Sequence, residues 1–210
     1  MPPEINVQER LDAIAEATLQ LARAGGARGV TVRAVAKKLG GSTTLVTKYV
    51  PTRVDLLLNA FAFVSTNWAE DLANALDGKE GMEKLKALAG WSLQTNNYDD
   101  AIRALWIDSL AGNPPEAEGD ETVQNQAHGE YEFIKAVVHE AGEDDWVADA
   151  LFLAFRGYYL SSLEDPESWP PERAQEAVMR ILEMIASQQR CAMRSLRKGG
   201  MLRWWLAKKC

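Results

Sequence analysis

The chain has 210 residues, 47% hydrophobic and 25% charged, and a formal net charge of −7. That apolar content supports a sizeable core in one or two domains, and the charged fraction is ordinary for a soluble protein. No apolar run approaches the roughly 18–20 residues that a membrane span needs, and the acidic, coreless N-terminus is not expected to be a secretory signal.

The opening residues look frayed. Asn6 with Glu9 resembles a capping box, and Val7, Leu11, Ile14, Thr18, Leu21 and Ala22 keep helical period to Ala24. Gly25, Gly26 and Gly29 end that helix. Thr31 then caps a short one, with Val32, Val35, Ala36 and Leu39 on one apolar face. Gly40-Gly41 stops it, Ser42 can cap a second short helix over Thr43–Tyr49, and Pro51 closes that. Thr52 with Asp55 forms a capping-box start for a long helix from about Arg53 to Leu76. Its stripe of Leu56, Leu57, Ala60, Phe61, Val64, Trp68 and Leu72 is broad enough to pack on two modules.

Further helices are expected at Met82–Thr95, Ala101–Leu110, Thr122–Ala141, Asp145–Leu163 and Glu172–Leu196. A break at Asn96–Asp100, an acidic loop from Gly112 to about Glu121 and a loop at Asp165–Pro171 separate them. No strand-like alternation persists. The expected fold class is all-α, about nine helices: an N-terminal three-helix head joined by a long helix to a larger helical body. The domains expected are 1–53, 54–198 and a basic tail at 199–210. In that tail, MLRWWLAKKC, two tryptophans among Lys and Arg could touch a membrane interface or nucleic acid, and a loosely packed end is the favoured expectation.

Charge is unevenly spread. Residues 1–53 hold 8 Lys/Arg and 4 Asp/Glu, residues 54–189 hold 8 against 26, and residues 190–210 hold 7 basic and no acidic residues. A basic head on an acidic body suits a DNA-reading end attached to something that should not stick to DNA.

Catalytic chemistry has little to work with. His128 and His139 are the only histidines, and neither sits in a metal-binding spacing. There is no nucleophile elbow and no phosphate-cradling glycine loop. The chain is therefore read as no enzyme, with no catalytic residues, metal or cofactor. Cys191 and Cys210 frame nothing, and a reduced, cytoplasmic protein without membrane association is expected.

DNA chemistry is better supplied. Two short helices across a glycine turn make a helix-turn-helix, whose second helix enters a major groove. Val46 and Val50 should face the other helices, which leaves Thr43, Thr44, Thr47 and Lys48 outside. Threonine can bond base edges or phosphates and meet a thymine methyl; Lys48 and Arg53 offer charge to phosphates.

The run from Thr31 through Leu39-Gly40-Gly41-Ser42 to Tyr49-Val50-Pro51-Thr52-Arg53-Val54-Asp55-Leu56 resembles the DNA-binding head of the TetR family of bacterial transcriptional regulators. Gly40, Ser42, Val46, Tyr49, Pro51, Arg53, Asp55 and Leu56 stand on matching positions. The match covers about the first 60 residues. Gly41 replaces the usual apolar turn residue, Val50 the usual Phe, Val54 the usual acid, and Thr47 the usual Tyr. The resemblance implies a ligand-responsive regulator, a repressor in most relatives, that binds a palindromic double-stranded DNA operator as a homodimer. A small-molecule effector in the body would release it. Thr31, Ser42, Tyr49 and Arg53 would meet phosphates, while Thr43, Thr44, Thr47 and Lys48 read the groove. The last two long helices would pair with the partner's, through Leu151, Ala154, Phe155, Tyr158 and Tyr159 on one and Ala177, Val178, Ile181, Leu182 and Ile185 on the other. Aromatic and apolar candidates for the ligand pocket are Trp91, Leu105, Trp106, Phe133, Trp146, Phe152 and Tyr159. The alternative reading is a dimeric helical small-molecule-binding protein without operator binding.

Overall fold

The computed structural model describes residues 6–94, 97–112 and 120–187, and among these every regular element is a helix. Helix α1 spans Val7–Gly25, a 3-10 turn η1 spans Ala27–Gly29, and the short helices α2 and α3 span Val32–Lys38 and Thr43–Thr47. The long α4 runs Arg53–Leu76, about 36 Å at 1.5 Å per residue. Then come α5 (Gly81–Ser92), α6 (Asn97–Gly112), α7 (Asp120–Glu140) and α8 (Asp145–Glu164). A last helix, α9, covers 171–187.

The caps explain most boundaries. Asn6 Oδ1 accepts the Gln8 N–H, so it caps α1 alone; Glu9 meets the Asn6 side chain instead of closing the reciprocal box. Thr31 accepts the Ala34 N–H at the start of α2. Thr52 and Asp55 satisfy each other's backbone N–H groups in a complete capping box for α4. Gly40 ends α2 at φ +69, a left-handed turn that a Cβ would strain. Helix α3 is shorter than expected, because Lys48 already forms its C-cap. Helix α6 is longer: the expected break at Asn96–Asp100 gives way to helix from Asn97. Asp99 and Asp100 fall in its first turn, where carboxylates favour the helix. Pro171 opens α9, as a residue with no N–H to satisfy can. The expected end of that helix at Leu196 and the basic tail lie outside the described residues, as does most of the 112–121 loop.

Two apolar clusters hold the molecule. The first joins Ile14, Leu19, Val30, Val35, Val46, Val50, Leu56 and Ala60 to Ala101, Ile102 and Leu105 of α6. The second gathers Leu85, Leu88, Ile134, Val138, Leu151, Phe155, Val178 and Leu182 from α5, α7, α8 and α9. Packing thus crosses the 53/54 boundary: the head's core continues into the body through α4 and α6. Among the described residues no helix is long and apolar enough to cross a membrane, and no group of metal-ligating side chains comes together.

Candidate nucleic-acid interface and a buried cavity

The head is built so that α3 has one anchored side and one free side. Val46 and Val50 are 0% and 3% exposed and belong to the core cluster that also holds residues of α1, α2 and α4. Thr43, Thr44, Thr47 and Lys48 all point to solvent. Ser42 is exposed at the N-cap and makes no side-chain cap bond; the Thr31 hydroxyl is exposed but engaged as a cap. Tyr49 is half-buried, with Lys48 Nζ 5.5 Å from its ring centroid. Leu45 is half-buried and covers Gly41: a Cβ there would lie 3.5 Å from Leu45 Cδ2. A side chain at position 41 would therefore make ordinary contact with this leucine.

Arg53, expected at a phosphate, is also held within the protein. Its Nε donates to the Val30 carbonyl at 3.0 Å, and its Nη2 donates to the Ala27 carbonyl at 2.9 Å and to the Asp108 carboxylate. Arg28 adds a looser ion pair to Asp108 at 3.9 Å. Two of the three guanidinium nitrogens are thus committed within the protein, and Arg53 ties η1 and α4 to the C-terminal half of α6.

Five helices, α4 to α8, line a half-open cavity of about 410 Å³. Phe61, Trp68 and Leu72 come from α4, Trp91 and Ser92 from α5, Asp99, Ile102, Arg103 and Trp106 from α6, Gln126, Glu130 and Phe133 from α7, and Arg156 and Tyr159 from α8. Phe61 meets Trp68 edge-on at 5.5 Å and Trp106 at 5.8 Å, so one wall is an aromatic cluster. A concave, mostly apolar space with a few polar groups is the usual form of a small-molecule site.

Of the seven pocket candidates, Trp91, Trp106, Phe133 and Tyr159 line this cavity. The other three do not. Leu105 is 3% exposed in the first core cluster, one position round α6 from the cavity face. Phe152 packs on the second cluster and stacks edge-on with Tyr131. Trp146 projects outward at the start of α8, 53% exposed. Aromatic character alone could not separate wall from core or surface.

The polar groups were not legible in the sequence. Glu130 is held by Arg156 Nη2; burial raises its pKa, while Arg156 and Arg103 pull it back down. Asp99 accepts the Trp68 Nε1–H at 2.8 Å. The Arg103 guanidinium lies 4.2 Å from the Tyr159 ring centroid, and burial pushes the Tyr159 hydroxyl well above its ordinary pKa. These arginines and carboxylates lie on three helices, and only packing brings them together.

The expected dimer stripes also need correction. Leu151, Phe155 and Tyr158 on α8, and Val178, Leu182 and Ile185 on α9, are buried in the protomer's own core. Tyr159 belongs to the cavity. The apolar residues left outside are Trp146, Leu153 and Leu160 on α8, at heptad spacing, and Ile181 and Met184 on α9.

Neither protein-family models nor curated proteins give a sequence match. Solved structures do match in fold. A TetR transcription regulator from Haloarcula marismortui superposes with a TM-score of 0.69 at 18% identity, covering 84% of this chain and 97% of that one. A transcriptional regulator from Rhodococcus sp. Rha1 gives 0.68 at 22%, with coverage of 86% and 96%. A protein from Saccharomonospora viridis solved in complex with choline gives 0.69 at 18%, with coverage of 83% and 96%. These similarities run through head and body alike, and the chain has the fold of TetR-family transcriptional regulators.

Proposed function

We propose that the chain is a member of that family: a homodimeric transcriptional regulator that reads a palindromic operator with α3 and is released when a small molecule fills the cavity. The observation that carries the reading is the one-sided α3, its valines buried and its threonines and Lys48 presented outward on a basic head. Thr43, Thr44 and Thr47 meet base edges; Thr31, Ser42, Lys48 and Tyr49 meet phosphates. Arg53 also positions the head, since its Nε and Nη2 are used within the protein.

The cavity and the head share α6. Asp99, Ile102, Arg103 and Trp106 face the cavity, and Asp108, a turn further on, holds Arg53 and Arg28. An occupant that displaces α6 pulls on this clamp and shifts the head relative to α4. Coupling of this kind in proteins is typically about 1–3 kcal/mol, roughly 5–150-fold in affinity. The outward apolar stripes of α8 and α9 supply the surface a second protomer would cover.

Fluorescence anisotropy with the DNA flanking the gene tests the reading. Binding should prefer that DNA over scrambled sequence and weaken steeply with salt. Thr47→Ala should relax sequence preference, and Tyr49→Phe should weaken all sequences alike. A folded dimer that shows no sequence preference would instead support a ligand-binding protein without an operator.

A further inference from the structure

The cavity's hydrogen-bonding capacity is lopsided. Its two buried or half-buried carboxylates are already occupied: Asp99 accepts from Trp68 Nε1, and Glu130 accepts from Arg156 Nη2. Asp71 stands exposed at the margin. The arginines are not fully used. Arg103 Nη1 and Arg156 Nε are buried atoms without a hydrogen-bond partner, and both residues line the cavity. Arg103 is the more enclosed, its side chain 12% exposed; Nη1 lies 3.8 Å from the exposed Asp100 carboxylate, beyond hydrogen-bond reach, Nη2 donates to the Gln94 carbonyl, and the guanidinium lies 4.2 Å from the Tyr159 ring centroid. A buried N–H donor left without a hydrogen bond is costly, so a site that contains two has room for an acceptor. Gln126 Oε1 is likewise unpartnered, and a flip of that amide would turn its N–H₂ to the same space.

Resting on the reading of this cavity as the effector site, we infer that it takes an organic anion, a carboxylate on an apolar body, with the carboxylate held by Arg103 and Arg156 and the body against Phe61, Trp91 and Trp106. Guanidinium–carboxylate recognition is short, planar and charge-assisted, and it is stronger in a water-poor, aromatic-walled site than at the surface. A cationic occupant would find Asp99 and Glu130 already holding donors, whereas Arg103 Nη1 and Arg156 Nε still lack an acceptor. The chemistry fits an aromatic acid or an acyl-chain acid equally, since both place a carboxylate on an apolar body.

Isothermal titration calorimetry of the full-length protein tests this with 2-naphthoate and decanoate as ring and chain probes, their neutral amides, and choline as the cation. At least one carboxylate should bind on the order of tenfold to a hundredfold more tightly than its own amide and than choline, the range expected of a charge-assisted hydrogen bond. Which of the two binds distinguishes an aromatic acid from an acyl chain. Arg103→Met should abolish the carboxylate-over-amide ratio, and Arg103→Lys should restore part of it. Thermal unfolding of each variant checks that the fold is kept. Absence of binding by both carboxylates, an amide or choline binding as tightly, or a ratio untouched by Arg103→Met would overturn the inference. DNA binding, measured separately without ligand, keeps the two readings apart. Operator binding with no carboxylate preference removes the ligand class alone; an Arg103-dependent preference without operator binding removes the regulator alone.

Discussion

At the scale of single residues, Arg53 and Lys48 show how one charge type does two jobs within six positions. Arg53 is spent on two backbone carbonyls and Asp108, whereas Lys48 reaches solvent beside Tyr49. Arg53→Met is therefore expected to cost about 1–2 kcal/mol in urea unfolding, the charged-donor range reduced for a half-exposed pair. Lys48→Ala should change stability by less than about 0.5 kcal/mol while lowering DNA affinity for all sequences and reducing the salt slope by about one. Equal stability of Arg53→Met and wild type would show that the clamp holds nothing. The sequence pointed to both residues as basic groups near a turn. It could not separate them, because Asp108 lies 55 residues away and meets Arg53 only after folding. Arg103 and Arg156 escaped for the same reason: nothing local marks an arginine whose partners sit on other helices.

At the scale of elements, caps and apolar stripes were readable and long-range polarity was not. Thr31, Gly40 and the Thr52–Asp55 box placed α2, the turn and α4 because each acts within four residues. The start of α6 was misplaced because Asn97–Asp100 reads as a loop by composition, although its acids suit a helix N-terminus. The turn from α7 to α8 carries a pH-dependent fastening. Asp145 accepts from Lys135 Nζ at 2.8 Å and faces His139 Nε2, and the Lys135 hydrogen bond followed by the His139 one lowers its pKa below 3.8. A carboxylate with a lowered folded-state value stabilises the fold fully above its unfolded value and loses that contribution as pH falls through the folded one. Asp145→Asn should thus melt below wild type at pH 7, with the gap closing as pH drops below about 4. A gap that persists at pH 3 would assign the loss to packing and not to charge.

At the scale of the whole molecule, α4 and α6 join head and body, and the outer sides of α8 and α9 carry the exposed apolar residues that the proposed dimer would bury. Leu153 is 68% exposed and Met184 58%, large apolar side chains on the two helices proposed to meet a partner. Leu153→Glu with Met184→Glu should shift the species seen by light scattering from dimer to monomer and weaken DNA binding, since each half-site would then be held singly. The stripes on these helices were visible in the sequence, but which side faced the core was not. Leu151, Phe155 and Tyr158 are as apolar as Leu153 and Leu160, and only the contacts with α5, α7 and α9 decide between them. Two α3 helices, one from each protomer, are proposed to read one symmetric DNA site. A nuclease footprint on the DNA flanking the gene, at about 150 mM salt, tests it most directly. The account predicts protection of a palindrome whose half-sites repeat at about one helical turn or a multiple of it, lost in Thr47→Ala/Lys48→Ala. Uniform or absent protection by a folded, dimeric protein would contradict it.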